Sequence, residues 1–295
     1  MDLYETNQLG RVLLMKARSS HTTIARIGRH LLLLGFVVII LAPFLWSLNT
    51  SLKPLSEILS YPPTLFPAKI FLGNYINVLS QNEFRRFILN SAIVTLFSVI
   101  LTLLVSLFAG YAAARYNFPA KEFLMLLLLA GMAIGRFANV IPLYFLAIKL
   151  KLFDTYLMLV LAYSAFITPL ITWLMQSYFK TIPVAIEEAA KIDGCNTWKS
   201  FWMVVVPIMK PPIVAGAVIT MSRAWNEFIL ALTLTRSSDM RTLPVGLHFF
   251  LTDYGVEWGP LTAASILSII PILIVFLWLQ RYFLQGFTSG TLGGS

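Results

Sequence analysis

From Phe87 to Ala113 the chain carries no charged residue. At 1.5 Å per helical residue such a run is long enough to cross the ~30 Å of hydrocarbon in a bilayer. Three more windows are equally free of charge: Leu31–Leu48, Thr155–Phe179 and Pro260–Gln280. Phe123–Ile148 holds only Arg136, and Pro211–Thr235 holds Arg223 and Glu227. Composition agrees, with 58% hydrophobic and 12% charged residues, against roughly 45–50% and about 25% in soluble domains. A mean hydropathy of +0.79 excludes a disordered chain, a disulfide scaffold and most soluble enzymes. Pro43, Pro142, Pro169 and Pro271 fall inside these windows and read as kinks, which helix neighbours in a membrane tolerate.

The expected fold is an all-α membrane protein of six transmembrane helices. Lys and Arg set the orientation. With the N-terminus inside, the inner pieces (1–30, 114–122, 180–210 and the chain end) carry 12 of the 22 basic residues, against 8 for the outer pieces. Both termini are therefore expected to be cytoplasmic. The net charge of +9 follows in large part from this pattern, and no basic cluster interleaved with stacking aromatics argues for nucleic acid. The first 30 residues are long and polar for a cleaved signal peptide and read as a segment leading into an uncleaved first span. Cys195 is the one cysteine, so neither an intrachain disulfide nor a cysteine metal cluster can form.

The chain divides into an N-terminal segment (1–30), a membrane region (31–284) and a Gly/Ser/Thr-rich tail (285–295). The long connection 49–86, with four prolines in its first half, either covers the outer mouth or meets something arriving from outside. No repeat of 20–50 residues stands out. The histidines His21, His30 and His248 lack metal-ligand spacing, and no Ser/His/Asp set converges, so no catalytic or metal residue is assigned.

Residues 182–207 form the most informative inner segment. Pro183 suits the first helical position, Glu187 and Glu188 favour the helix N-terminus, and Glu187 can pair with Lys191 at i,i+4. Ile186, Ala189 and Ala190 make an apolar strip of mostly small side chains. Gly194 provides a left-handed stop, and Asn196 or Thr197 can cap the next helix. The pattern is a helix-turn-helix lying across the inner face; taken by itself it also fits an interfacial amphipathic loop.

Glu188-Ala189-Ala190, three residues, Gly194, nine residues and Val204-Val205-Val206-Pro207 closely resemble the EAA signature of ABC importer permeases, with valine at its aliphatic positions. Asn49–Pro54, Gly73–Tyr75, Asn90-Ser91, Ala109–Arg115, Ile141–Tyr144, Leu152–Tyr156 and Ala224–Asn226 resemble blocks of the carbohydrate-uptake, maltose-type branch. The likeness runs from about Pro43 to Gly290. It implies a multi-pass subunit of the bacterial inner membrane. Its implied partners are a second homologous permease, two ATPase subunits and a periplasmic solute-binding protein, with an oligosaccharide as cargo. By the same resemblance Glu188 contacts the ATPase, Ala189 and Ala190 let the helix seat and Gly194 shapes the turn, with Asp193 and Pro207 also counted among the ATPase-coupling residues. The chain has no Gly-Lys dipeptide and hence no P-loop, so ATP and its Mg are expected on the partner subunits and no cofactor on this chain.

A charge at the middle of a span costs ~2.5–3.5 kcal/mol on insertion scales and so usually faces a partner or a wet cavity. Arg223 and Glu227 are four residues apart, on one helical face if the helix continues, and either pair internally or line the path. Arg136 either pairs across helices, with Glu227 for example, or lines the path beside Asn139. Gly131 and Gly135 offer a face for close packing. Asn226 is a candidate sugar-hydroxyl ligand or an architectural residue. Arg136 and Arg223 depart from the apolar or small residues expected there. Two guanidinium groups suit a carboxylate-bearing cargo such as a uronate oligomer, with a neutral malto-oligosaccharide as the alternative. A further alternative is an ion-coupled secondary transporter using Glu227.

Overall fold

The computed structural model describes residues 28–133, 135–248, 250–252 and 255–291; the expectations for 1–27 and 292–295 lie outside it. The chain is almost wholly helical. In order it forms α1 (Gly28–Ser51), α2 (Leu55–Ile58), α3 (Gly73–Ser80), α4 (Asn82–Arg115), α5 (Lys121–Ala133) and α6 (Arg136–Lys149). Then come α7 (Tyr156–Thr181), α8 (Val184–Ile192), α9 (Thr197–Ser200), a π turn at Phe201–Val205, α10 (Val206–Ile208) and α11 (Lys210–Trp225). After α12 (Ile229–Leu234) and α13 (Leu243–His248), a two-stranded hairpin, Leu251–Thr252 with Gly255–Val256, leads into α14 (Trp258–Thr291).

Among the described residues four helices are long and apolar enough to cross a bilayer alone: α1, α4, α7 and α14. The third and fifth apolar windows are not single rods. α5 and α6 meet at 101°, and the α9–α10 stretch meets α11 at 74°. The fifth window extends to Thr235 in sequence, but α11 ends at Trp225 and α12 is a separate short helix. The sixth helix continues through Thr291, into the segment read as a tail.

The centre of the fold is the pair α4 and α7, which run parallel in a fixed register. The Tyr156 hydroxyl donates to the Asn90 side chain at 2.7 Å, Ser164 Oγ to the Ser98 carbonyl at 3.4 Å, and Thr172 Oγ1 to Ser106 Oγ at 3.2 Å. Each of these pairs is separated by the same 66 residues. α4 turns a stripe of buried small residues to this seam: Ser91, Thr95, Ser98, Thr102, Ser106 and Gly110. In lipid, apolar side chains have no water to escape, and small residues let backbones approach and dispersion act. Interhelical hydrogen bonds in this setting average only about 0.6 kcal/mol, so the seam depends on closeness as well as polarity.

α11 packs against both helices of this pair, and α14 packs against α11. Leu159, Tyr163, Ile171, Met175 and Phe179 of α7 are fully or nearly fully buried. α1 contrasts with them: its apolar side chains from Leu31 to Trp46 are exposed, as a surface facing lipid or another subunit requires. The connection after α1 folds on itself. Asn74 Nδ2 donates to the Ser51 and Lys53 carbonyls at 2.9 Å, and Lys53 Nζ donates to the Thr64 carbonyl at 2.5 Å.

The glycines that matter for packing differ from the expected pair. A Cβ on Gly131 or Gly135 would meet nothing within 4 Å, because the break between α5 and α6 separates the two and no continuous face joins them. A Cβ on Gly110 would lie 2.8 Å from Met175 Cβ and 3.0 Å from the Gln176 nitrogen. Gly110→Ala is therefore expected to spread the α4–α7 seam and lower stability by about 1–3 kcal/mol. Gly131→Ala should leave it unchanged. Thermal unfolding of the two variants in the same detergent checks the contrast.

Candidate functional site

The segment 182–207 folds as the expected helix-turn-helix. α7 ends at Thr181, and Pro183 stands at the N-cap of α8, one residue before the position read from sequence. Its missing N–H is no loss there, since the first N–H groups of a helix have no partner within it. The C-terminus of α8 is a Schellman turn. The Cys195 N–H donates to the Ala190 carbonyl and the Gly194 N–H to the Lys191 carbonyl, both at 3.0 Å, with Gly194 at φ +87°. Asp193 is the exposed C-cap. Of the two candidate caps for the second helix, Asn196 does the work: its Oδ1 accepts from the Lys199 N–H at 2.8 Å.

Beyond α9 the chain widens into the π turn, then breaks at Met209. Pro207, Pro211 and Pro212 leave three backbone nitrogens without a proton in six positions, which explains the 74° bend before α11. The aliphatic run Val204–Val206 thus lies on the return into the bundle, and Pro207 is exposed at its turn.

The two faces of α8 differ in chemistry. Glu187 and Ala190 are buried; Ala185, Glu188, Ala189 and Ile192 are exposed on the other side, Ile192 at 87%. Two expectations change here. The Ile186, Ala189 and Ala190 strip is split, since Ala190 packs inward while Ile186 and Ala189 face out. Glu187 does not pair with Lys191 but turns into the bundle. Its Oε1 accepts from Arg115 Nε at 2.6 Å and its Oε2 from the Tyr111 hydroxyl at 2.7 Å. Burial drives this choice, because two donors aimed at an enclosed carboxylate outweigh a solvent-exposed i,i+4 pair worth a few tenths of a kcal/mol.

The second candidate region lies where α11 gives way to α12. Arg223 is exposed in the last turn of α11, and Asn226 is exposed just past it, with its Nδ2 donating to the Ser222 carbonyl at 2.8 Å. Glu227 is buried, and its Oε1 accepts from the Leu230 N–H at 3.1 Å, so one of its roles is to cap α12. The helix ends between Arg223 and Glu227, so no single helical face joins them. A turn nevertheless brings both to one narrow crevice with Tyr163, Phe166, Ile167 and Leu230. Asn139 is half-buried on α6, its amide nitrogen 3.5 Å from the Gly135 carbonyl. Arg136 opens α6, and its side chain lies outside the described residues.

Sequence reading missed the polar ties at the end of the bundle away from α8. Asn90 Nδ2 donates to the Asp239 and Arg241 carbonyls at 2.8 Å, and the Leu243 N–H donates to Ser91 Oγ at 2.7 Å. Asp154 accepts from the Arg236 N–H at 2.8 Å, and Trp225 Nε1 donates to the Ser268 carbonyl at 3.1 Å. Asn90, Ser91, Asp154 and Trp225 lie in the blocks singled out for resemblance, a signal that carries no geometry; their partners lie outside those blocks. Arg115, the first charge after a long uncharged run, was the corresponding signal for Glu187.

Residues 106–289 match the family described as binding-protein-dependent transport system inner membrane component. A putative ABC transporter permease protein, ORF2, of Caldicellulosiruptor sp. is 36% identical over 252 residues, 85% of this chain and 91% of its own length. The arabinooligosaccharides transport system permease protein AraQ of Halalkalibacterium halodurans is 34% identical over 270 residues, covering 90% and 96%. In fold the chain is similar to a solved bacterial ABC transporter involved in import of the acidic polysaccharide alginate. There the TM-score is 0.78 at 24% identity, over 88% of this chain and 96% of that one. These relatives are transport subunits and not enzymes, and the chain belongs to the family of inner-membrane permease components of binding-protein-dependent ABC transport systems.

Proposed function

We propose that this chain is one permease subunit of an ATP-driven importer that moves an oligosaccharide across the bacterial inner membrane by alternating access. Six spans, counting each bent pair as one, with both termini cytoplasmic, put residues 182–207 on the inner side. Two ATPase subunits, which bind the ATP and Mg, sit beneath this chain and a second permease, and a periplasmic binding protein delivers the cargo. Family membership weighs against the ion-coupled alternative, and the capping role of Glu227 accounts for a buried carboxylate without ion transport.

The observation that carries this reading is the two-faced α8: anchored inward through Glu187, it leaves Ala185, Glu188, Ala189 and Ile192 free to meet a partner. Ala189 lets the helix seat, Glu188 offers one polar contact, and Asp193, Gly194 and Pro207 hold the shape of the loop. ATP closure of the partner pair moves this loop and opens the path outward.

For the cargo, Arg223 is an exposed cation at the break of the fifth span, beside Asn226. Together with Arg136 and Asn139 it supports a carboxylated oligomer, uronate or alginate-like, over a neutral malto-oligosaccharide. Glu227 shares the crevice and tempers that positive field.

Three outcomes follow. Purified from native membranes, the chain should bring an ATPase subunit with it, and Glu188→Lys or Ala189→Trp should release that subunit; a wild-type chain purifying alone would overturn the reading. Gly194→Val should lower the bundle's unfolding temperature in detergent by only a few degrees but uncouple hydrolysis from transport, because only the left-handed backbone is strained there, by roughly 1–2 kcal/mol. Gly194→Asn should retain coupling. Finally, Arg223→Gln should weaken uronate uptake about tenfold or more, the loss of a charged hydrogen bond worth ~1.5–3 kcal/mol. Neutral oligomers competing as well as uronates would exclude the acidic cargo.

A further inference from the structure

Backward along the chain only Ile182 and Pro183 join α8 to α7; onward, the chain leads through α9 and α10 to α11, and that route is poorly suited to carry a push. It contains the π turn, the break at Met209 and the 74° bend. A non-covalent route leads to α4. Arg115, the last residue of α4, donates through Nε to Glu187 of α8 at 2.6 Å and through Nη2 to the Ile182 carbonyl just after α7 at 2.9 Å. The Arg115 and Glu187 side chains are only 9% and 6% exposed. The Tyr111 hydroxyl, one turn earlier on α4, takes the other carboxylate oxygen at 2.7 Å. Both oxygens of one carboxylate are therefore held by α4, and the same guanidinium holds the end of α7.

Aromatic rings extend this joint to the second half of the loop. Phe201 lies 4.8 Å from Tyr111 and 5.6 Å from Phe108, centroid to centroid, and Trp198 stacks on Phe108 at 5.8 Å. α8, α9 and the lower end of the α4–α7 pair are thus joined by directional bonds and ring packing, with the Arg115–Glu187 pair itself nearly enclosed.

We propose that the Glu187–Arg115–Tyr111 joint transmits loop movement to α4, and through the α4–α7 seam to α7, while the Met209 hinge lets the loop rotate against α11. Arg115 and Tyr111 act through Glu187 and are positioning residues for coupling. The inference rests on the docking role assigned to α8 above. It differs from that role in placing the transmitting contact on the buried face of the helix, within this chain.

The test uses the whole complex in proteoliposomes with Mg-ATP and orthovanadate as the probe. In a Cys195→Ser background, spin labels at Lys191→Cys on α8 and Leu89→Cys on α4 report one distance; Lys191→Cys with Ser222→Cys on α11 reports another. All three labelled positions are exposed. Nucleotide should shift the α8–α11 distance and leave the α8–α4 distance unchanged. Glu187→Gln and Arg115→Gln should broaden or shift the α8–α4 distance on nucleotide binding while the ATPase subunit still co-purifies, because the altered groups are buried away from the exposed face. Tyr111→Phe, which removes one donor and no charge, should loosen it less and provides a readout should the charge variants fail to assemble. An α8–α4 distance that moves in the unaltered joint, or that stays fixed in all three variants, overturns the proposal. Failure of the unaltered chain to hold an ATPase subunit would instead overturn the importer reading, and it would be seen before any distance is measured.

Discussion

Where the surrounding medium is itself hydrocarbon, leucines gain little by finding one another, and a helix bundle must be held by proximity and by polar groups that lipid cannot satisfy. In this chain that duty falls on the α4–α7 seam. Its small hydroxyl-bearing residues and Gly110 let two long helices lie side by side in one register. α11 seats on the same seam through Gly216, whose added Cβ would come 2.9 Å from Met175 Cε and 3.3 Å from Ile171 Cγ2. One end of the seam is clipped by Asn90, Ser91 and Asp154 to the chain between α12 and α13. The other end suspends the helix-turn-helix through Arg115.

What the sequence disclosed follows the range of the forces involved. Caps and stops are local, so the Schellman turn at Gly194 and the cap near Asn196 could be placed from residue type and spacing. Hydropathy is a sum over a window, so the apolar segments were visible. Their breaks were not, because a window average does not register Glu227 accepting the Leu230 N–H and starting a new helix. Gly131 and Gly135 fit a packing pattern while Gly110 and Gly216 do the packing, and only the approach of a neighbouring backbone separates the two cases.

Glu187 and Glu188 make the same point at the site itself. Side by side, they have equal helix propensity, equal charge and nearly equal position relative to the helix dipole. Nothing local assigns one inward and one outward. The choice is made by Arg115, 72 residues earlier in the chain, and by Tyr111. The family blocks show the converse: their residues were noticed as letters, and their meaning as carbonyl acceptors and amide donors came only with the fold.

The parallel register of α4 and α7 has a consequence for biosynthesis. Parallel neighbours cannot be joined by a tight turn, so the chain must pass through α5 and α6 before α7 exists. At ~5–20 residues per second of synthesis, the 66 residues separating each bonded pair correspond to roughly 3–13 seconds. For that interval the serines and threonines of α4 face lipid, the insertion machinery or some other helix. Throughout it α4 exists without the helix to which it is bonded in the finished fold.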